Sequence, residues 1–236
     1  MAKKKVVIVI VEGISDERAI SSIRKYVRDT FGVFIHLTHG DVFSDNSYRK
    51  GIKAVVGDQV QKVMQQYKYT KNEILAVIQV ADTDGAFIND DLVIVDENIG
   101  ESKKYFCNSI KVSSQKKAIN IQQRNKVKAA KLKTMYPTLK VQKSINYHLL
   151  YFSCNLDHVI HGEMNLNDKE KEPKAKEFDK KYKGKPKDFV DFFKKEAFAV
   201  KGTKRETWEF IQRDNNSLKQ YSNFHLIFDI LDDLME

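Results

Sequence analysis

Three carboxylates stand out by where they fall. Glu12 closes the apolar run Val6–Val11, and Asp82 and Asp84 close a second apolar run, 74–81, in the turn Asp82-Thr83-Asp84-Gly85. Carboxylates gathered at strand ends repel one another unless a cation or a proton sits among them. Oxygen ligands of this kind suit Mg²⁺ or Mn²⁺; Mg²⁺ is typically bound by few carboxylates and completes its shell with water and substrate phosphate. Such an ion neutralises a phosphoryl oxygen and helps to activate water. The glycines that follow, Gly13 and Gly85, would let backbone approach a phosphate closely. Glu12, Asp82 and Asp84 are therefore the candidate catalytic and metal-ligating residues.

The surrounding pattern tells which elements must position them. Val6–Val11 is β-branched throughout, as in a strand covered on both faces. Ser15 reads as the cap of a helix with Asp16 and Glu17 in its first turn, where the helix dipole favours anions. Ala19, Ile20, Ile23, Tyr26, Val27 and Phe31 continue at helical spacing until Gly32 ends the helix. A strand over 33–37, a helix over 54–67 and the strand 74–81 follow. This alternation predicts an α/β fold with a mainly parallel sheet, in which ligands gather at the carboxyl ends of the strands. Glu12 and Asp82 both fall on that edge.

Further on, 116–135 reads as a helix with Ala118, Ile121, Val127, Ala130 and Leu132 toward the core, stopped by Pro137. Ile145–Phe152 reads as another strand, again running into a polar turn that carries an acid, Asp157. His158 and His161 sit close by. The stretch 163–188 is dense in charge and poor in apolar residues, which predicts an exposed linker or mobile helix. Beyond it, the spacing of apolar residues predicts helices, with a capping box at Thr203–Glu206.

Composition narrows the partners. The 236 residues carry a net charge of +9, but residues 1–100 sum to −1 and residues 101–236 to +10. From 103 to 143 there are 12 basic residues and no Asp or Glu. A stretch of one sign this long makes a field that attracts polyanions. Lys116, Lys117, Arg124, Lys126, Lys128, Lys131 and Lys133 are the candidate nucleic-acid contacts. Cys107 and Cys154 are far apart and lack metal-ligand spacing. The basic N-terminus precedes only six apolar residues, too few for a signal peptide, and no apolar run is long enough to span a bilayer. A cytoplasmic location with no membrane partner is the expectation.

The two stretches VVIVIVEGISDERAI and ILAVIQVADTDGAFI resemble the motifs of Toprim domains: an apolar strand ending Glu-Gly with an Asp shortly after, then an apolar strand ending Asp-x-Asp. The resemblance covers about residues 5–90 and extends weakly to 162, because FSCNLDHVIHG is similar to a segment of the OLD-type nucleases. It implies a Toprim-like (Rossmann-like), mainly parallel sheet flanked by helices over 1–162, with the basic segment 103–143 inside that domain. The charged segment 163–188 and a helical C-terminal extension over 189–236 would follow. It also implies a metal-dependent nuclease with Glu12, Asp82 and Asp84 as metal ligands or general base. Asp157 would be an added metal ligand where the family more often has Glu, and Asp16 would support a metal ligand from behind or cap the helix.

By the same analogy the chain could serve as the effector of a phage-defence or prophage system. A separate ATPase partner and a homodimer fit the family, and no ATP-binding Gly-x-x-x-x-Gly-Lys-Ser/Thr loop is present in this sequence. Two other readings stand beside this one. VIQVADTDGAF also resembles the nucleophile loop of haloacid-dehalogenase-like phosphatases, with Asp82 attacking phosphorus and Asp84 as acid/base, although Glu12 then has no task. The third is a basic nucleic-acid-binding module without chemistry.

Overall fold

The computed structural model describes residues 5–45, 47, 49–100, 103–195 and 197–235. Strand β1 (Val6–Val11) is buried along its whole length. It is followed by helices α1 (Ile14–Ala19) and α2 (Ile23–Phe31), strand β2 (Phe34–His39), helix α3 (Ile52–Tyr67) and strand β3 (Ile74–Asp82). Three short strands come next, β4 (Val93–Val95), β5 (Lys103–Phe106) and β6 (Ser109–Val112), and then the long helix α4 (Gln115–Met135). The two-residue strand β7 (Lys140–Val141) leads into β8 (Ile145–Phe152). Helices α5 (Leu156–His161), α6 (Asp168–Tyr182), α7 (Pro186–Phe193), α8 (Lys204–Ile211) and α9 (Leu226–Asp233) complete the order.

The main sheet has the order β2-β1-β3-β8-β7. β2, β1, β3 and β8 run parallel, and β7 is antiparallel to β8, so the sheet is mixed. Alternate residues of β1 enter opposite layers, as the period of a strand requires. Val7, Val9 and Val11 pack with α2, α6, α7 and α9. Val6, Ile8 and Ile10 pack with α3, α4 and Trp208 of α8. This is why the run reads apolar at every position. A second small sheet, β4-β6-β5, lies against α4 through Val93, Ile110, Val112 and Ala118.

Several expectations change. The single helix expected after β1 is two helices. α1 stops at Ala19, and the hydroxyls of Ser21 and Ser22 both donate to the Asp179 carboxylate on α6. Its cap is Gly13, not Ser15, and Asp16 fills the reciprocal position by accepting the Gly13 N–H at 2.8 Å. The charged stretch 163–188 contains α6, whose Ala175, Phe178 and Tyr182 are buried in the main core. The C-terminal segment belongs to the same core. Trp208 donates its indole N–H to the Leu149 carbonyl of β8, and the Ser153 and Cys154 N–H groups donate to the carbonyls of Tyr221 and Ser217.

Candidate functional site

The parallel register of β1 and β3 brings Glu12 beside the end of β3, where its Oε1 accepts the Asp82 N–H at 3.1 Å. The chain then leaves β3 along β8: the Thr83 N–H donates to Phe152 O and the Asp84 N–H to Cys154 O. Asp84 turns with φ 51° and Gly85 with φ 68°, two successive residues in the left-handed region. A Cβ on Gly85 would meet Leu218 Cδ2 at 2.6 Å and Ile110 Cδ1 at 3.1 Å. The sequence pattern assigned Gly85 to phosphate approach; its missing side chain makes room for Leu218.

Lys128 of α4 fills the space between the two strand ends. Its ammonium donates to Asp84 Oδ2 at 2.6 Å, to Glu12 Oε1 and Oε2 at 3.2 and 3.4 Å, and to Ser44 Oγ at 3.1 Å. Its side chain is fully buried. A buried cation without such partners would be strongly disfavoured, and here the surrounding carboxylates hold it firmly charged. Lys128 was expected on a nucleic-acid-binding surface, and burial removes it from that role. The buried face of α4 runs Ala118, Asn125, Lys128, Leu132, Met135 at helical spacing, whereas Val127 is half-buried and Ala130 exposed. That stripe was the signal in the sequence; apolar residues one or two positions away concealed it.

A second set of contacts holds Asp84 from the other side. Tyr105 of β5 donates its hydroxyl to Asp84 Oδ1 at 3.0 Å. The same hydroxyl oxygen accepts from Arg124 Nη1 at 2.9 Å and Lys103 Nζ at 2.8 Å, and Arg124 Nη2 donates to the Asp84 carbonyl at 2.7 Å. Neither Tyr105 nor Lys103 was singled out for the site from sequence, because nothing in 103–106 places it over β3. Arg124 is half-buried in this network, not displayed on a basic surface.

The charges of the cluster are unequal. Burial pushes Glu12 up to about 8, against the pull of Lys128 and with help from Asp41 and Asp84. Burial and repulsion from Glu12, Asp16 and Asp84 push Asp82 well above the usual carboxylate range. Asp84 is held down by Lys128 and Arg124, which overcome its burial. Asp157 on α5 is buried and lies near enough to Asp16 for the two to repel, so burial and that repulsion raise it to about 6. Asp16 is itself raised, chiefly by burial. His158 is lowered to about 4 by burial and makes no hydrogen bond to a site carboxylate.

The remaining basic candidates divide. Lys116, Lys117, Lys126 and Lys133 are exposed on α4, with Lys126 paired to Asp90 and Lys117 bonded to Ser113 Oγ. Lys131 is half-buried and donates to the carbonyls of Phe43 and Asp45. Among the described residues, no three His, Cys, Asp or Glu side chains are gathered so as to hold a metal ion. Glu12, Asp82 and Asp84 are oxygen donors of the kind Mg²⁺ takes, and the Lys128 ammonium stands between Glu12 and Asp84. Asp82 has no hydrogen-bond or ion-pair partner for its carboxylate among the described residues, and three neighbouring acids repel it. No helix is long and apolar enough to cross a membrane among the described residues. No protein-family model, curated protein or solved structure matches the chain.

Proposed function

We propose that this chain is a metal-dependent nuclease of the Toprim type, hydrolysing phosphodiester bonds in DNA or RNA. The observation that carries the reading is the meeting of Glu12 with the Asp82–Asp84 turn across two adjacent parallel strands, with Lys128 bonded to both sides. Glu12, Asp82 and Asp84 would hold Mg²⁺ or Mn²⁺, with Asp157, which lies beside Asp16, as the added acid, and the ion when bound would neutralise charge on a phosphoryl oxygen. Lys128 orients Glu12 and Asp84 and sets a fixed positive charge where negative charge develops during phosphoryl transfer. In its ionised form Glu12 can accept a proton from attacking water, and the turn bonds fix Asp84 so that little reorganisation is left for the reaction.

Exposed Lys116, Lys117, Lys126 and Lys133 on α4 would hold the phosphate backbone, so binding should weaken steeply with salt. The phosphatase reading gives Glu12 no task, whereas here its carboxylate anchors the loop that carries Asp82. An ATPase partner, a homodimer and a phage-defence role are parts of the proposal that rest on the family resemblance. The test is cleavage of labelled single- and double-stranded DNA and RNA with Mg²⁺, Mn²⁺ or chelator, together with calorimetric titration of each metal. Cleavage should require metal and be lost in Glu12→Gln and Asp82→Asn. A protein that binds no divalent ion and cuts no nucleic acid would end the reading.

A further inference from the structure

Several cations around the site are paired with carboxylates among the described residues. Lys128 is bonded to Glu12 and Asp84, Lys126 to Asp90 and Lys111 to Asp96. Arg124 spends its donors on the Asp84 carbonyl, the Tyr105 hydroxyl and Asn125 Oδ1. Lys103 is half-buried, yet no carboxylate oxygen lies within 4.0 Å of its ammonium among the described residues. Its one hydrogen bond goes to Tyr105 Oη at 2.8 Å, and its ammonium lies 4.6 Å from that ring's centroid.

The placement follows from strand alternation. In β5 the residues Lys103 and Tyr105 share one face, and Lys104 and Phe106 the other. Tyr105 is buried toward Asp84, so Lys103 must lie on the site side as well. The small sheet thus carries a fixed ammonium to the flank of Asp84, which it reaches only through the Tyr105 hydroxyl and not by a direct ion pair. Burial and the neighbouring Arg124 disfavour its charge more than Asp84 favours it, and a bound anion would offset that cost.

We propose that Lys103, held by Tyr105 beside Arg124, is a binding subsite for a phosphate group of the ligand, next to Asp84. This rests on the nuclease reading for its ligand, a phosphate flanking the scissile bond, but the subsite itself needs only an anion. Two N–H groups of the ammonium remain for phosphate oxygens after the bond to Tyr105. Lysine serves such a site as a point charge, so no bidentate geometry is required.

The experiment measures binding of a short fluorescent single-stranded oligonucleotide, and separately of inorganic pyrophosphate, to the full chain in chelator. Lys103→Met should weaken both by about tenfold and lower the salt slope for the oligonucleotide by about 0.7, the loss of one phosphate contact. Lys103→Arg should keep most of the affinity. Tyr105→Phe, which frees the ammonium but leaves the ring, should fall between. Lys104→Ala, on the opposite face of the strand, should leave the pyrophosphate affinity unchanged. Melting curves of each variant separate lost binding from lost folding. Unchanged binding by Lys103→Met overturns the subsite and leaves the nuclease reading standing. Binding of pyrophosphate through Lys103 without binding of any oligonucleotide supports the subsite and sinks the nuclease reading. A wild-type chain that binds neither probe overturns the subsite.

Discussion

The ammonium of Lys128 lies 2.6 Å from Oδ2 of Asp84, on a face of α4 that otherwise carries Ala118, Leu132 and Met135 into the interior. A lysine on an apolar stripe is tolerated only because two strand ends present carboxylates to it. Replacing Lys128 by Met keeps the volume, leaves Glu12 buried without its ion-pair partner and leaves Asp84 with only Arg124 and Lys103 nearby. Removing one partner of a buried pair costs about 3–5 kcal/mol. Glu12 takes up a proton readily, so the lower end, about 3 kcal/mol, is expected. Urea unfolding of the metal-free protein at neutral pH measures it; a loss below about 0.5 kcal/mol, the range of ordinary surface changes, would show that the pair is not what holds the site together.

Stability of the metal-free protein should fall as pH rises through neutrality. Below 4.5, the ordinary Glu12 value, both folded and unfolded chains hold the proton; between 4.5 and about 8 the folded chain holds more of it. Raising the pH across that window removes the proton from a state that favours it, so folding loses stability until the folded value is passed. Asp157 acts the same way between 3.8 and about 6. Asp84 acts oppositely: its depressed value gives stability above 3.8 that is lost as the pH falls further. The site's contribution should therefore peak at about pH 4–5. Glu12→Gln should flatten the decline between pH 5 and 8, read from urea midpoints at a series of pH values. Parallel curves for wild type and variant would refute the assignment.

How much of this was legible depended on whether the signal was local. β1 and β8 were legible at Val6–Val11 and Ile145–Phe152 because a fully buried strand leaves an unbroken apolar run. That Glu12 would meet Asp82 and Asp84 was legible because each follows an apolar run, and adjacent parallel strands bring such ends together. Lys128 was misplaced because its burial depends on carboxylates far away in the chain, and a lone lysine in a basic helix gives no local sign of them. Tyr105 and Lys103 were illegible for the same reason: a four-residue strand does not reveal which loop it covers. Asp16 showed its cap geometry three residues from Gly13, but the serine between them drew the prediction to the wrong position.

Gly85 should be far less replaceable than its turn position suggests. Ala there would be strained at φ 68° and would drive its methyl against Leu218 Cδ2. The two costs together come to about 2–4 kcal/mol, strain contributing roughly 1–2 of it. In a Leu218→Ala background only the Ile110 Cδ1 contact at 3.1 Å remains, so the second Gly85→Ala step should cost little beyond the strain. A double-mutant cycle on urea midpoints reads the difference as a coupling of about 1–2 kcal/mol. Independent effects would mean that Leu218 does not set the requirement for glycine.

The C-terminal helices should prove indispensable to the sheet. Phe189, Phe193, Phe224 and Phe228 are buried in the layer that covers Val7, Val9 and Val11, and Trp208 is buried in the opposite layer. The carbonyls of Ser217 and Tyr221 satisfy the backbone N–H groups with which β8 turns toward Asp157. A chain ending at residue 188 would expose both layers and leave those donors without partners. It should fail to unfold cooperatively and should bind a hydrophobic dye, whereas the full chain should unfold in one transition and bind none. Trp208 is the only tryptophan, so its emission reports that transition directly as a red shift on unfolding. Trp208→Phe keeps an aromatic ring but gives up the bond to Leu149 O and leaves space beside Tyr136 and Tyr151; it should cost about 2–3 kcal/mol. A stable, cooperatively folding fragment 1–188 would separate the helices from the core and restore the reading of 189–236 as an appended extension.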